Sequence, residues 1–421
     1  MRPGEVQRWR LLAATAAVPL VVALRSSDSA CPVPSLNVVS LDGLTIPRMV
    51  TLPPGRPVVL GAGNRADVLV QAATPCTYEL QALDPTAMPG WAVSLSGMTG
   101  APGTEPPQPR NARIGFDFQG NFGDSGGTPT SGGQILSYPI ALARVVVGGE
   151  PVEMRLPSGN LPVPPALPAV PALADGPVDA ARNVAFEICG THGAPSSGGA
   201  MGTTADRLPS CEFYLDRYDA EYWGGIPFEN LFMMRDADDQ GVPAAHEHGH
   251  GSGTHAGASR TGYAKEGLFD HHTPLFDDMF VGNREEWTVW NRTNSDHPFH
   301  IHQNPFLVTH INGVRLVDGD GNPAPEWHDT ITVPAASPQR AGRPLIGNEC
   351  PRDSVSGQYI QNPDCDPANA TNKCCTMYGS VTFRTELEPI SAGRFVMHCH
   401  ILSHEDLGMM QLLEVKSGPV N

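Results

Sequence analysis

The chain has 421 residues, room for two domains of ordinary size, and its 45 glycines and 42 prolines predict many turns and few long helices. A formal net charge of −17 without a basic cluster argues against nucleic acid and an anionic membrane surface as partners. Its nine cysteines favour an oxidising compartment, extracellular or periplasmic.

The amino terminus reads in two ways. Met1 to Cys31 has early arginines, an apolar run from Leu11 to Leu24 and small residues before the cysteine, as a secretory signal does, but Glu5 sits in the would-be basic region. Residues 1 to about 155 alternate short apolar runs with Gly/Pro turns, as expected of a β-sandwich. Such runs are Pro57-Val-Val-Leu60, Asp67-Val-Leu-Val70 and Ile140 to Val147. Gly120 to Gly133 and Gly193 to Gly202 are rich in Gly and Ser and read as surface loops. Between about 156 and 178 the chain becomes Pro/Ala-rich, which predicts a semi-rigid, extended linker. Strands resume at Asn183 and run to Val415, so residues 179–421 form the second domain.

Eight cysteines besides Cys399 allow up to four disulfides, and the four between Cys350 and Cys375 are placed to staple one long loop. Asn291-Arg-Thr and Asn369-Ala-Thr fit the glycosylation acceptor pattern, although the first lies in an apparent strand. Ala245 to His255 is a His/Gly-rich segment, followed by His271-His272. It stands either as an inert solvated loop, as a loose copper-recruiting loop, or as a substitute ligand motif.

The chemistry is concentrated at the end of the chain. His398-Cys399-His400-Ile-Leu-Ser-His404-Glu405-Asp406-Leu-Gly-Met409-Met410 combines imidazole, thiolate and thioether, the ligand set of blue-copper centres. His297-Pro-Phe-His300-Ile-His302 supplies the remaining histidine. Side chains alternate faces along a strand, so Cys399 points one way while His398 and His400 point the other. Cys399 would share its interior with His297, His404 and Met409, and His398 and His400 would face a second cluster, joined by His300 and His302.

These paired motifs resemble the carboxy-terminal copper signature of the multicopper oxidases, the family of laccases and bacterial copper-efflux oxidases. The flanks are similar too: Trp287-Thr-Val-Trp-Asn291, Trp327-His-Asp-Thr-Ile-Thr-Val-Pro334 and Gly393-Arg-Phe-Val-Met397. The resemblance spans roughly residues 265 to 415 strongly and the amino-terminal half more weakly, through Pro3 to Leu12, Leu36 to Leu44 and Gly61 to Val70. It implies two cupredoxin-like Greek-key β-sandwich domains, with residues 1–155 similar to the ligand-free second domain of three-domain members. It also implies a type 1 copper on His297, Cys399, His404 and Met409, a type 2 ligand in His300, and type 3 ligands in His302, His398 and His400. Glu405, Asp406 and Asp329 are placed either to relay protons and orient ligands, or simply to face solvent at strand ends. His310 and His328 fall outside the motif and read as non-ligands.

By resemblance, the activity is one-electron oxidation of a small reducing substrate, a phenol, an aromatic amine or Cu(I), coupled to reduction of O2 to water. The family's first domain adds a His-x-His-Gly and a His-x-His to complete its trinuclear cluster, yet no histidine precedes His192. The expectation is a chain that lacks that first domain or borrows the histidines from a neighbouring subunit. His246-Glu-His248-Gly249 matches the missing motif only formally. The alternative is an electron carrier or copper-binding protein of cupredoxin type without oxygen chemistry.

Overall fold

The computed structural model describes residues 1–16, 18–85, 94–99, 112–116, 122–124, 134–162, 170–190, 230–237, 239, 269–293, 296–318, 320–334, 379–406 and 408–418. They are almost wholly β, as the turn-rich composition predicts. None of their helices is long and apolar enough to cross a membrane.

Strands β1 (Val6–Leu12), β2 (Leu20–Arg25), β3 (Leu36–Leu41), β4 (Leu44–Leu52), β5 (Val58–Leu60), β6 (Arg65–Gln71) and β7 (Cys76–Ala82) come first in the chain. A short helix α1 (Leu95–Thr99) and a small sheet of β8 (Ala112–Phe116), β9 (Phe122–Asp124) and β10 (Gln134–Tyr138) precede β11 (Ile140–Val147). Two four-stranded antiparallel sheets result, ordered β1-β6-β3-β4 and β11-β7-β2-β5. In β6 the period-two pattern is complete: Ala66, Val68 and Val70 are buried, while Arg65, Asp67 and Leu69 are not. The end of the apolar run from Leu11 to Leu24 forms β2, which pairs with β5 and β7 and buries four consecutive side chains, Val21 to Leu24. Cys31 and Cys76 form a disulfide at the edge of this core. The side chains of Cys189, Cys211 and the four cysteines from Cys350 to Cys375 lie outside the described residues, as do the His246–His255 segment and Asn369.

The Pro/Ala-rich stretch differs from the extended linker expected of it. Val170–Ala174 forms a helix, α2, and Leu173 packs with Leu307 and Trp327. The Arg384 guanidinium donates to the carbonyls of Leu173 and Gly176, at 3.2 and 2.8 Å, and the Leu161 N–H bonds to the Pro47 carbonyl. An amino-terminal strand holds one end of the segment and the carboxy-terminal sheet holds the other, because an apolar side chain, one helix carbonyl and the carbonyl of Gly176 just past the helix find partners there.

The remaining strands are β12 (Ala180–Gly190), β13 (Asn230–Asp236), β14 (Met279–Phe280), β15 (Arg284–Asn291), β16 (His297–Ile301), β17 (Phe306–Ile311), β18 (Val314–Arg315), β19 (Glu326–His328), β20 (Thr330–Val333), β21 (Gly379–Glu386), β22 (Gly393–Cys399) and β23 (Met410–Lys416). They build one sheet ordered β13-β12-β15-β21-β17-β18, with β19 added on β17, and another ordered β14-β23-β22-β16-β20. β15 alternates strictly, burying Glu285, Trp287, Val289 and Asn291. Trp287 stacks on Phe383, which also meets Phe299 and Phe306, so an aromatic cluster joins the two sheets directly behind β16. Asn291 is fully buried and donates to the Val333 carbonyl at 3.1 Å. That excludes it as a glycan acceptor in the folded chain.

Candidate metal centre

β16 and β22 pair antiparallel in a register that sets Phe299 opposite Cys399 and His300 opposite His398. The pleat therefore sends His297 and Cys399 into the aromatic core and His300 and His398 to the other face of the sheet. β22 ends at Cys399, and a short helix, α3 (Leu402–Asp406), brings His404 back over the sulfur. Two backbone bonds close this loop, from Cys399 N–H to the Met409 carbonyl at 3.0 Å and from Met409 N–H to the His404 carbonyl at 2.8 Å.

On the inner face, His297 Nδ1, Cys399 Sγ and His404 Nδ1 converge, at 3.4 Å from His297 to the sulfur, 3.8 Å from the sulfur to His404, and 3.1 Å between the imidazoles. All three residues are buried, and so is Met409. The hydrogen-bond network assigns the tautomer of His297. Thr293 Oγ1 donates to Asn291 Oδ1, an acceptor, and so receives the proton of His297 Nε2 at 2.7 Å; the Nδ1 lone pair is left facing the sulfur. Burial, then the neighbouring His404, holds the His297 pKa well below the usual imidazole value, and burial pushes the Cys399 thiol up. A neutral thiol between two imidazole nitrogens has little reason to be gathered at such distances by itself. A soft metal ion that displaces the thiol proton accounts for the arrangement.

On the outer face, His300, His302 and His398 form a second convergent group. His302 Nε2 lies 3.3 Å from His398 Nε2. His300 Nδ1 donates to the Asp329 carbonyl at 2.7 Å, and His398 Nδ1 lies 3.0 Å from the Cys399 carbonyl and 3.2 Å from the Glu405 carboxylate. Both rings thereby keep Nε2 for a metal. Burial lowers the pKa of His300 and His302, and burial takes His398 down to about 4, so the rings are neutral and ready to ligate at pH 7. Burial also raises the Glu405 carboxyl.

His400 stands beside this group, its ring centroid 5.8 Å from that of His300 and 5.6 Å from that of His398, but its ring nitrogens are not among those that converge. Its Nδ1 is buried and has no hydrogen-bond partner among the described residues. Asp329 is paired with Arg65, at 2.8 and 2.6 Å, and supports His300 through its carbonyl. Asp406 is exposed. His310 is remote from both groups and bonds Thr309.

Sequence reasoning missed the surroundings of His328. Its imidazole is buried between the carboxylates of Asp42, at 3.0 Å, and Glu326, at 3.4 Å. Asp42 belongs to the β3–β4 turn, 286 residues away in sequence. No local pattern announces such a partner.

The family profile described as multicopper oxidase matches residues 244–341 and 366–419, the part of the chain that carries both donor groups. The carboxy-terminal part of this chain is thus similar to the multicopper oxidases. More particularly, the chain is similar to the laccase of Bacillus subtilis (strain 168), 25% identical over an alignment of 158 residues that covers 34% of this chain and 22% of the laccase. Among solved structures it is similar to a multicopper oxidase from Campylobacter jejuni, described as a metallo-oxidase, at 17% identity and a TM-score of 0.47, over 97% of this chain and 53% of that one. It is also similar to a variant of the McoA multicopper oxidase from Aquifex aeolicus, at 14% identity and a TM-score of 0.49, over 99% and 56%. The chain spans about half the length of these solved relatives. Copper is the metal that the family implies, and the thiolate–imidazole donor set fits it.

Proposed function

We propose that the chain is an oxidoreductase in which His297, Cys399, His404 and Met409 would hold a copper that would supply one-electron oxidation of a phenolic or aromatic donor or of Cu(I). In this reading that group is the type 1 centre. His300 would hold a type 2 copper, and His302, His398 and His400 would hold paired type 3 coppers, which would supply the reduction of O2 to water. Bound copper supplies the one-electron redox chemistry; the side chains supply placement, water exclusion and protons. The aromatic wall of Phe186 and Phe299 beside His297 keeps water from the sulfur. Cys399 and the peptide units on either side form a covalent path from the inner group to His398 and His400. Glu405, its carboxyl pKa raised by burial, lies 3.2 Å from His398 Nδ1, where it could relay protons.

The observation that carries this reading is the pair of convergent donor sets on adjacent residues of one strand, facing opposite ways. The family's full oxygen-reducing cluster needs more histidines than the four described here, so we place the remainder outside the described residues, in another domain or in a neighbouring subunit. The Cys31–Cys76 disulfide supports an extracellular or periplasmic location. The convergence of three imidazoles, with His400 set aside, keeps an electron carrier without oxygen chemistry as the second reading.

Copper stoichiometry and oxygen uptake measured on one sample separate the two readings. About four coppers with turnover supports the oxidase, and a single copper with intense blue colour and no uptake supports the carrier. Cys399→Ser is expected to abolish the thiolate-to-copper absorption; a variant that stays blue overturns the ligand assignment.

A further inference from the structure

The amino-terminal sheets supply neither donor group, yet they touch the supports of both. The turn between β5 and β6 lies against the end of β22. Gly63 in that turn has φ +83°, and a Cβ placed on it would stand 2.6 Å from Cδ2 and 2.7 Å from Nε2 of His400. Its neighbour Asn64 is buried and uses its whole amide. Nδ2 donates to the Thr330 carbonyl at 2.6 Å and to the Asp42 carboxylate at 3.1 Å, and Oδ1 accepts from Gly61 N–H. Arg65 completes the turn through its paired bonds to Asp329, whose carbonyl receives His300 Nδ1–H.

A second loop backs the first. Ala13 exchanges backbone bonds with Gly63 and Asn64, and the Ala16 carbonyl accepts from Leu402 N–H at the head of the helix that carries His404. An interface that only joined two sheet pairs would need apolar side chains. Here the polar atoms are aimed at the Asp329 carboxylate and at the backbone of residues 330 and 402, next to the groups that support His300 and carry His404. Hydrogen bonds fix the rings of His300 and His398, but the His400 ring has none among the described residues, so the wall it rests on decides its orientation.

We propose that Gly63 and Asn64 are positioning residues for the outer histidine group: Gly63 sets the plane of the His400 ring by leaving room for it, and Asn64 holds the Asp329–Thr330 backbone that orients His300. The proposal rests on reading that group as a copper site. The amino-terminal sheets then govern metal affinity at a site to which they contribute no ligand.

The test compares the full chain with Gly63→Ala, Asn64→Ala and Gly313→Ala. Gly313 has φ +70° and nothing within 4 Å of its Cβ position, so it imposes similar backbone strain without a contact. Copper affinity at the histidine group is measured by chelator competition and by electron paramagnetic resonance, and the Cys399 absorption reports the inner group. Gly63→Ala and Asn64→Ala are expected to bind copper at the histidine group about 10–100-fold more weakly, with a changed resonance signature and unchanged Cys399 absorption. Gly313→Ala is expected to match wild type at both groups. If wild type binds copper there and both seam variants keep its affinity and signature, the proposal is overturned; should Gly63→Ala fail to fold, Asn64→Ala alone decides. A wild-type chain that takes no copper at the histidine group overturns the copper reading itself.

Discussion

His328→Gln removes a pH dependence that wild type carries in its stability. The imidazole is 2% exposed, and burial alone would lower its pKa; its bonds to Asp42 and Glu326 prevail and raise it to about 9. A group whose folded pKa exceeds its unfolded value stabilises fully below the unfolded pKa, and the contribution disappears as pH rises through the folded one. The window therefore runs from 6.5, the ordinary value, to about 9. At about 1.4 kcal/mol per pH unit, that rise corresponds to roughly 3 kcal/mol. The lowered pKa of Asp42 is the same interaction seen from its partner, and adds nothing further. Urea denaturation of the copper-free chain from pH 6.5 to 9.5 is expected to show wild type losing roughly 3 kcal/mol more than the variant. At pH 6.5 the variant is less stable by about 3–5 kcal/mol, because Asp42 keeps a buried charge without its cation. Parallel pH profiles for the two proteins would refute the reasoning.

Two further outcomes follow from the sheets. Replacing Cys31 and Cys76 together by Ala opens a loop of sequence separation 45; chain entropy puts the loss at about 4 kcal/mol, measured as a lowered denaturation midpoint that reductant no longer changes. Arg182 forms a paired bridge, both bonds 2.8 Å, to Glu285, whose side chain is fully buried. Arg182→Ala is expected to cost about 3–5 kcal/mol, and Glu285→Gln in the same chain should recover part of it; no recovery would show that packing of Arg182 on Phe276, not its charge, is what matters.

The strands were legible where one face is buried and the other is not. Arg65–Gln71 and Arg284–Asn291 announce themselves by strict alternation. The donor groups were legible for a different reason: ligand chemistry demands particular residue types, and the β16 and β22 segments hold most of them within a few positions. What escaped depends on contacts between distant parts of the chain. Asp42 and His328 meet only after folding, as do Asn64 and the Thr330 carbonyl. The helix Val170–Ala174 hid within a proline-rich composition because Leu173 forms it against Leu307 and Trp327, which sequence order does not reveal. Asn291 matched a surface motif although alternation already placed it on the buried side of β15. There the period was the better guide than the tripeptide.

The pairing of β16 with β22 makes the two donor groups a single heritable unit. Their spacing is a length of covalent backbone, which side-chain packing cannot stretch. A slip of one residue would turn Cys399 outward and His398 inward together, abolishing both groups at one stroke. Substitutions in the loop from Ile401 to Gly408 touch one group at a time. In that loop His404 serves the inner group and Glu405 faces His398 of the outer one, so changes there reach the groups separately, whereas the register of the strand pair is common to both.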